Sequence, residues 1–166
     1  MSFGAVGAWG VDYVWDGEFD GDWQNQVNWF NQTTLTDDSG FPSGAGDTAT
    51  LGAFTVTLTN IPVGTAAGTL TINDIGAAVT LGNNLTINTL DVAAGSLSIS
   101  ANTLTVNGNA GGAGGTINGD NGTVTVTGNF TVPVYSATSG TTSIAGTAVT
   151  FGTLTHNGGT IVLNGT

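Results

Sequence analysis

No lysine and no arginine occur in the 166 residues, against 11 acids and one histidine, so the formal charge is −11. That absence excludes partners gripped through phosphates. Nucleic acids are held by Lys and Arg that neutralise the backbone, and anionic membrane surfaces draw on the same charges. Cysteine is absent as well, which removes disulfides and thiolate chemistry. No run of about 18 apolar residues exists, so the sequence predicts no spanning helix and no membrane insertion. The segment Met1–Trp9 has neither a basic start nor a sustained apolar stretch and does not read as a secretory signal. Helix formers are scarce, with one methionine and one glutamate, and no ten residues carry an i, i+3, i+4, i+7 apolar pattern. The lack of Lys and Arg also leaves no tryptic site, which suits a chain exposed to proteases and favours an extracellular or cell-surface setting.

What is present is β-forming. Apolar residues make up 39 % of the chain and charged residues only 7 %, too apolar a balance for a solvated disordered tail. The C-terminal two thirds repeat a three-residue unit, aliphatic–Thr/Ser–aliphatic. It occurs as Leu70-Thr-Ile72, Val79-Thr-Leu81, Leu85-Thr-Ile87, Leu97-Ser-Ile99, Leu104-Thr-Val106 and Val124-Thr-Val126, and again as Phe130-Thr-Val132 and Val149-Thr-Phe151. Alternation with period two puts the aliphatics on one side of a strand and the hydroxyls on the other. Gly and Asn punctuate the units, as turns require.

A longer period overlies the short one. Gly-Thr/Ser-aliphatic starts recur at Gly68, Gly95, Gly115 and Gly159, with a looser one at Gly140, at intervals of about 20 to 27 residues within the range of stacked repeats. The pattern predicts an all-β parallel β-solenoid with two or three short strands per coil. A β-sandwich is the alternative, disfavoured because no pair of long strands flanks a tight turn. The last coil opens at Gly159 and the sequence stops at Thr166. The spacing therefore predicts an open end, to be covered by further chain or by a neighbouring copy stacked head to tail.

Composition changes near residue 60. The four tryptophans and eight of the 11 acids lie before it, which divides the chain into an aromatic, acidic segment over 1–59 and coils over 60–166. The first segment reads Val14-Trp15-Asp16-Gly17, Gly21-Asp22-Trp23, Val27-Asn28-Trp29, Phe41-Pro42 and Gly46-Asp47-Thr48-Ala49-Thr50-Leu51. This run resembles an N-terminal motif of secreted bacterial β-solenoid proteins of the autotransporter-passenger and adhesin type. The resemblance implies export, a right-handed solenoid and a structural or adhesive role, with no catalytic residues to carry over.

Physically, Trp9, Trp15, Trp23, Trp29, Phe19 and Phe30 can close an apolar solenoid end, and glycan stacking on exposed Trp faces is the other use of such residues. The run Asp16-Gly-Glu18-Phe-Asp20-Gly-Asp22 spaces its acids like the first half of a calcium loop. Val27 stands where the bidentate Glu of such a loop belongs. Asp16, Glu18, Asp20 and Asp22 are thus the candidate Ca2+ ligands, and turn-capping acids are the competing reading.

Catalysis finds no support in the residue types. The coils carry only Asp74, Asp91 and Asp120, each isolated, and His156 is the sole histidine. The sequence therefore predicts no enzyme. Asn-X-Thr sequons stand at Asn31, Asn84, Asn121, Asn129 and Asn164 as candidate glycosylation sites. The expectation is a structural subunit or module of an extracellular filament, self-assembling head to tail. A glycan-binding adhesin or phage-fibre module and a functional amyloid are the alternatives. In a variant, Ser2 to Val14 leaves the body to add a strand to a neighbour.

Overall fold

The computed structural model describes residues 10–18, 20–37 and 39–165. They form 17 strands in one continuous sheet, wound into a parallel β-solenoid of about six turns. The chain enters as β1 (Asp12–Trp15) and makes an excursion through a 3-10 turn (Gln26–Asn28), β2 (Trp29–Asn31) and β3 (Thr36–Asp37). It returns as β4 (Gly44–Leu51) and β5 (Thr55–Leu58). Regular winding follows: β6 (Thr65–Ile72) and β7 (Ala78–Leu81), then β8 (Leu85–Val92) and β9 (Ser96–Ser98). The next turns hold β10 (Thr103–Val106), β11 (Ala110–Gly111) and β12 (Thr116–Asn118), then β13 (Thr123–Val126) and β14 (Phe130–Ser136). The chain ends through β15 (Thr141–Ile144), β16 (Val149–Thr155) and β17 (Thr160–Leu163). Parallel pairing throughout the coils excludes the sandwich.

Each coil presents three faces, and equivalent residues stack in files because the side-chain alternation keeps the aliphatics inside. On the first face Tyr13, Ala49, Leu70, Leu90, Ala110, Phe130 and Val149 stand one above the next. On the second the file is Val56, Val79, Leu97, Ile117, Tyr135 and Leu154. On the third it is Ala67, Ile87, Val106, Val126, Ile144 and Leu163. Ala110, between Leu90 and Phe130, leaves room for the larger ring above it. Phe130 meets Tyr135 at 4.9 Å and Phe151 at 5.5 Å, both edge to face, so a second aromatic cluster fills the C-terminal coils.

The coil length is 19 to 21 residues along the first face from Ala49 onward and 18 to 23 along the second. The Gly-Thr starts read from the sequence are not all equivalent. Thr69 lies on the first face, Ser96 and Thr116 on the second, and Thr160 pairs with Thr141 on the third. Intervals near 20 are true coils; the longer ones step from one face to another. The three faces share one local chemistry, so a third of a coil mimics a whole one. Several strands also exceed the three-residue unit, because β6, β8, β14 and β16 bend through a corner without breaking.

Corners are set by glycine and asparagine. A Cβ on Gly128 would lie 2.5 Å from the backbone of Gly108, and one on Gly146 would lie 2.1 Å from the Gly128 carbonyl. On the next corner a Cβ on Gly140 or Gly159 would strike the glycine carbonyl below it at 2.5 or 2.3 Å. Two glycine files, 108–128–146–165 and 122–140–159, thus flank the third face. Asparagine amides bridge successive coils: Asn109 Oδ1 accepts from the Asn129 amide at 2.9 Å, and Asn129 Oδ1 accepts from the Ala148 amide at 3.1 Å.

The compositional change at residue 60 has no structural counterpart. β4 and β5, before it, stack in register on β6 and β7, after it. Solenoid coils therefore begin inside the aromatic segment.

Candidate functional site

The excursion between β1 and β4 covers the N-terminal end of the solenoid. β2 runs antiparallel to β1 along the edge that faces away from β4, and β3 runs antiparallel to β2. Trp15, Trp23 and Trp29 are buried. Trp29 is the hub, with ring centroids at 4.9 Å from Trp15, 5.0 Å from Trp23 and 6.3 Å from Tyr13, all edge to face. Two of the indole nitrogens have carbonyl partners, as burial favours: Trp23 donates to the Pro42 carbonyl at 2.7 Å and Trp29 to the Trp23 carbonyl at 2.8 Å. The spacing of the motif's residues serves one interlocked unit, in which Trp23, Trp29 and Pro42 share two hydrogen bonds. Phe30 is half-buried on the opposite side of β2, and Trp9 and Phe19 lie outside the described residues.

The motif's polar residues hold this unit together. Asn28 is buried; its amide donates to Asp20 Oδ1 at 2.9 Å and to the Asp22 carbonyl at 3.0 Å. Asp47 accepts from the Val11 amide and the Ser43 amide, both at 3.0 Å, pinning the entry of the chain to the start of β4. Asn28 carried no assigned role in the sequence reading beyond its place in the motif. Its burial beside two aspartates becomes visible only when the loop closes.

The candidate calcium set is divided by the fold. Asp20 Oδ1 accepts from the Asp22 amide at 2.9 Å, and these hydrogen bonds, with Asn28, hold its carboxyl below the usual range. Asp22 accepts from Gln24 and from Asn60, tying the cap to the next coil. Both are turn residues. Asp16 and Glu18 instead converge with Asp37 of β3, with one oxygen of each within 4.8 Å of the others. Asp37 lies 21 positions beyond Asp16, so no loop spacing could reveal it; the antiparallel hairpin delivers it.

In this cluster Glu18 and Asp37 are exposed and Asp16 is partly buried. Burial, and then the neighbouring Asp37, push the Asp16 carboxyl up to about 6. Its Oδ1 is closed off from water without a hydrogen-bond partner among the described residues. A hard cation takes oxygen ligands at about 2.3–2.6 Å, so carboxylate oxygens spaced as these are can share one ion. The chain has no Lys or Arg to offset them. Asp16, Glu18 and Asp37 are the residues that would hold Ca2+, with water completing the shell.

The other singled-out residues are placed as follows. Asn31 is 6 % exposed and its Oδ1 accepts from the Thr33 and Thr34 amides, so it is withdrawn as a glycosylation candidate. Asn84, Asn121, Asn129 and Asn164 are exposed. Asp74 caps the Gly76 amide at 2.7 Å, and Asp120 accepts from Ser98 and Ser100. His156 is exposed, with its Nε2 at 2.9 Å from the Gly159 carbonyl. Residues 12–14 of the proposed exchanging strand pair within their own chain, through β1 with β2 and β4, and residues 2–9 lie outside the described set.

No family model, no curated protein and no solved structure matches this chain.

Proposed function

We propose that the chain is a structural module of an extracellular surface filament, its copies adding head to tail. The observation that supports this reading is an exposed apolar surface in the last described coil. The tryptophan unit closes the interior beside β1. Leu154 and Leu163, in line with the inward files, are 44 % and 60 % exposed, a surface that a further coil or a neighbouring copy can cover. Among the described residues the sheet of the first face pairs on one side only at β3 and at β16, and such free edges are templates for addition. A contact between unlike ends whose rotation does not close into a ring runs on as a fibre.

Glycan stacking finds less support as an alternative, since Trp15, Trp23 and Trp29 turn no ring to solvent. The reading assigns catalysis to no residue. Electron microscopy and analytical ultracentrifugation of the purified chain test it. Fibres with a regular axial repeat, lost in Leu154→Lys/Leu163→Lys, are the expected result. A folded chain that stays monomeric across a wide concentration range would overturn the proposal.

A further inference from the structure

The third face carries an array that the filament reading does not use. Its rows are Asn102-Thr-Leu-Thr-Val-Asn-Gly108, Gly122-Thr-Val-Thr-Val-Thr-Gly128, Gly140-Thr-Thr-Ser-Ile-Ala-Gly146 and Gly159-Thr-Ile-Val-Leu-Asn-Gly165. The registers align these rows without a shift, whereas the irregularities of the solenoid fall in the pairings of β4 with β6 and β6 with β8. The outward files are therefore Thr103, Thr123, Thr141 and Thr160 beside Thr86, Thr105, Thr125, Ser143 and, in the last row, Val162.

Three properties define what such a surface can meet. First, it is a two-dimensional lattice: hydroxyls and methyls repeat at about 4.8 Å along the axis and about 6.6 Å along each strand. Second, among the described residues the side-chain hydroxyls of Thr103, Thr105, Thr123 and Thr125 make no hydrogen bond to protein, so they are available to a ligand or to water. Third, no row holds a charged residue, although the chain carries 11 acids. Glycine borders the array on both sides except at Asn102, whose amide turns to the Leu81 carbonyl, and an extended, planar, electrically neutral partner can lie across several coils at once.

We infer that this face binds ice. The axial repeat is close to the repeat of hexagonal ice along its a axis, so one file of threonines meets one line of lattice waters. Each hydroxyl offers a donor and an acceptor to a lattice water. The methyl beside it occupies the space between waters and loses no hydrogen bond by doing so. A carboxylate or ammonium on the face would hold its own hydration shell and break the lattice, and the face has neither. The first face, by comparison, sets Asp91 in line with Thr71 and Gly111, and its array is interrupted.

The inference does not depend on filament formation, because a single copy carries the whole array. The test is partition of the purified chain into a slowly growing ice front, with ice-recrystallisation inhibition as a second readout. The wild type is expected to enter the ice and to suppress coarsening. Thr105→Tyr/Thr125→Tyr is expected to lose both activities while far-UV circular dichroism stays that of the wild type, and Thr71→Tyr on the first face to keep them. Should the double variant not fold, Thr105→Lys, which places a solvated charge on the same face, is expected to give the same loss. Exclusion of the folded wild type from ice would overturn the inference, as would equal loss in Thr71→Tyr or full activity in Thr105→Lys. Binding to microcrystalline cellulose or chitin without any effect on ice would overturn it too, and would assign the array to a crystalline polysaccharide.

Discussion

The phenol oxygen of Tyr135 and the hydroxyl of Thr142 lie 2.5 Å apart inside the solenoid, both closed off from water. Thr142 stands in an otherwise aliphatic file, between Val124 and Ile161. A large ring on one face and a small polar residue on another thus satisfy each other across the interior, with the Thr138 backbone also approaching the phenol. Removing either partner alone leaves a buried hydroxyl short of a hydrogen bond. Thr142→Val and Tyr135→Phe are each expected to cost about 1 kcal/mol. The double variant should cost less than the two together, as residues in one hydrogen-bonded pair do. Urea unfolding of the four chains measures this.

Trp29 touches Tyr13, Trp15 and Trp23 and is the centre of the closed end. Trp29→Ala is expected to destabilise the chain by about 3–5 kcal/mol, the range for a buried aromatic replaced by alanine. Trp29→Phe should fall well below that, losing the bond to the Trp23 carbonyl but keeping most of the packing. Thermal unfolding followed by fluorescence separates the two.

The Asp16 carboxyl titrates near 6 in the folded chain, raised from 3.8 by burial and by Asp37. The folded state therefore holds this proton more tightly than the unfolded state does. The stability contributed by the group is fully present below about pH 4 and is lost as pH rises through 6. Asp16→Asn is expected to flatten that part of the stability profile. At pH 7 the same three carboxylates should respond to calcium. A calcium-dependent rise in Tm, absent in Asp37→Asn, is the expected result, and a Tm indifferent to calcium would leave the cluster as bare acids.

Glycine at 146 is dictated by the Gly128 carbonyl below it. Gly146→Ala must push two coils apart and is expected to cost about 1–3 kcal/mol, as overpacking does. Gly52→Ala, which meets nothing within 4 Å, should be close to neutral. Differential scanning calorimetry of both variants checks the contrast.

The sequence was most legible where its chemistry was local. The alternation in Leu104-Thr-Val106 or Val124-Thr-Val126 marks inside and outside residue by residue, and the files follow from it. It was least legible where function depends on which coil lies above which. Gly68 and Gly95 look like the same punctuation but sit on different faces. Asp37 joins Asp16 only through a hairpin, and Asp20 and Asp22, adjacent to Asp16 in sequence, turn away to serve Asn28 and Asn60. Thr142 shares the inner side of β15 with Ile144, but its partner Tyr135 lies on another face, and only the winding of the coil brings the two together.

The hydrogen bonds between coils lie along the solenoid axis, while the covalent chain circles it. A pull on the two ends therefore loads one interface at a time. A coil of 20 residues, such as that from Leu70 to Leu90, takes up about 4.8 Å of axis but holds roughly 66–72 Å of extended chain. Each coil that peels away lengthens the molecule more than tenfold over the height it gives up. Under tension such a module acts as a reel, paying out slack in quanta of one turn before any covalent bond is strained.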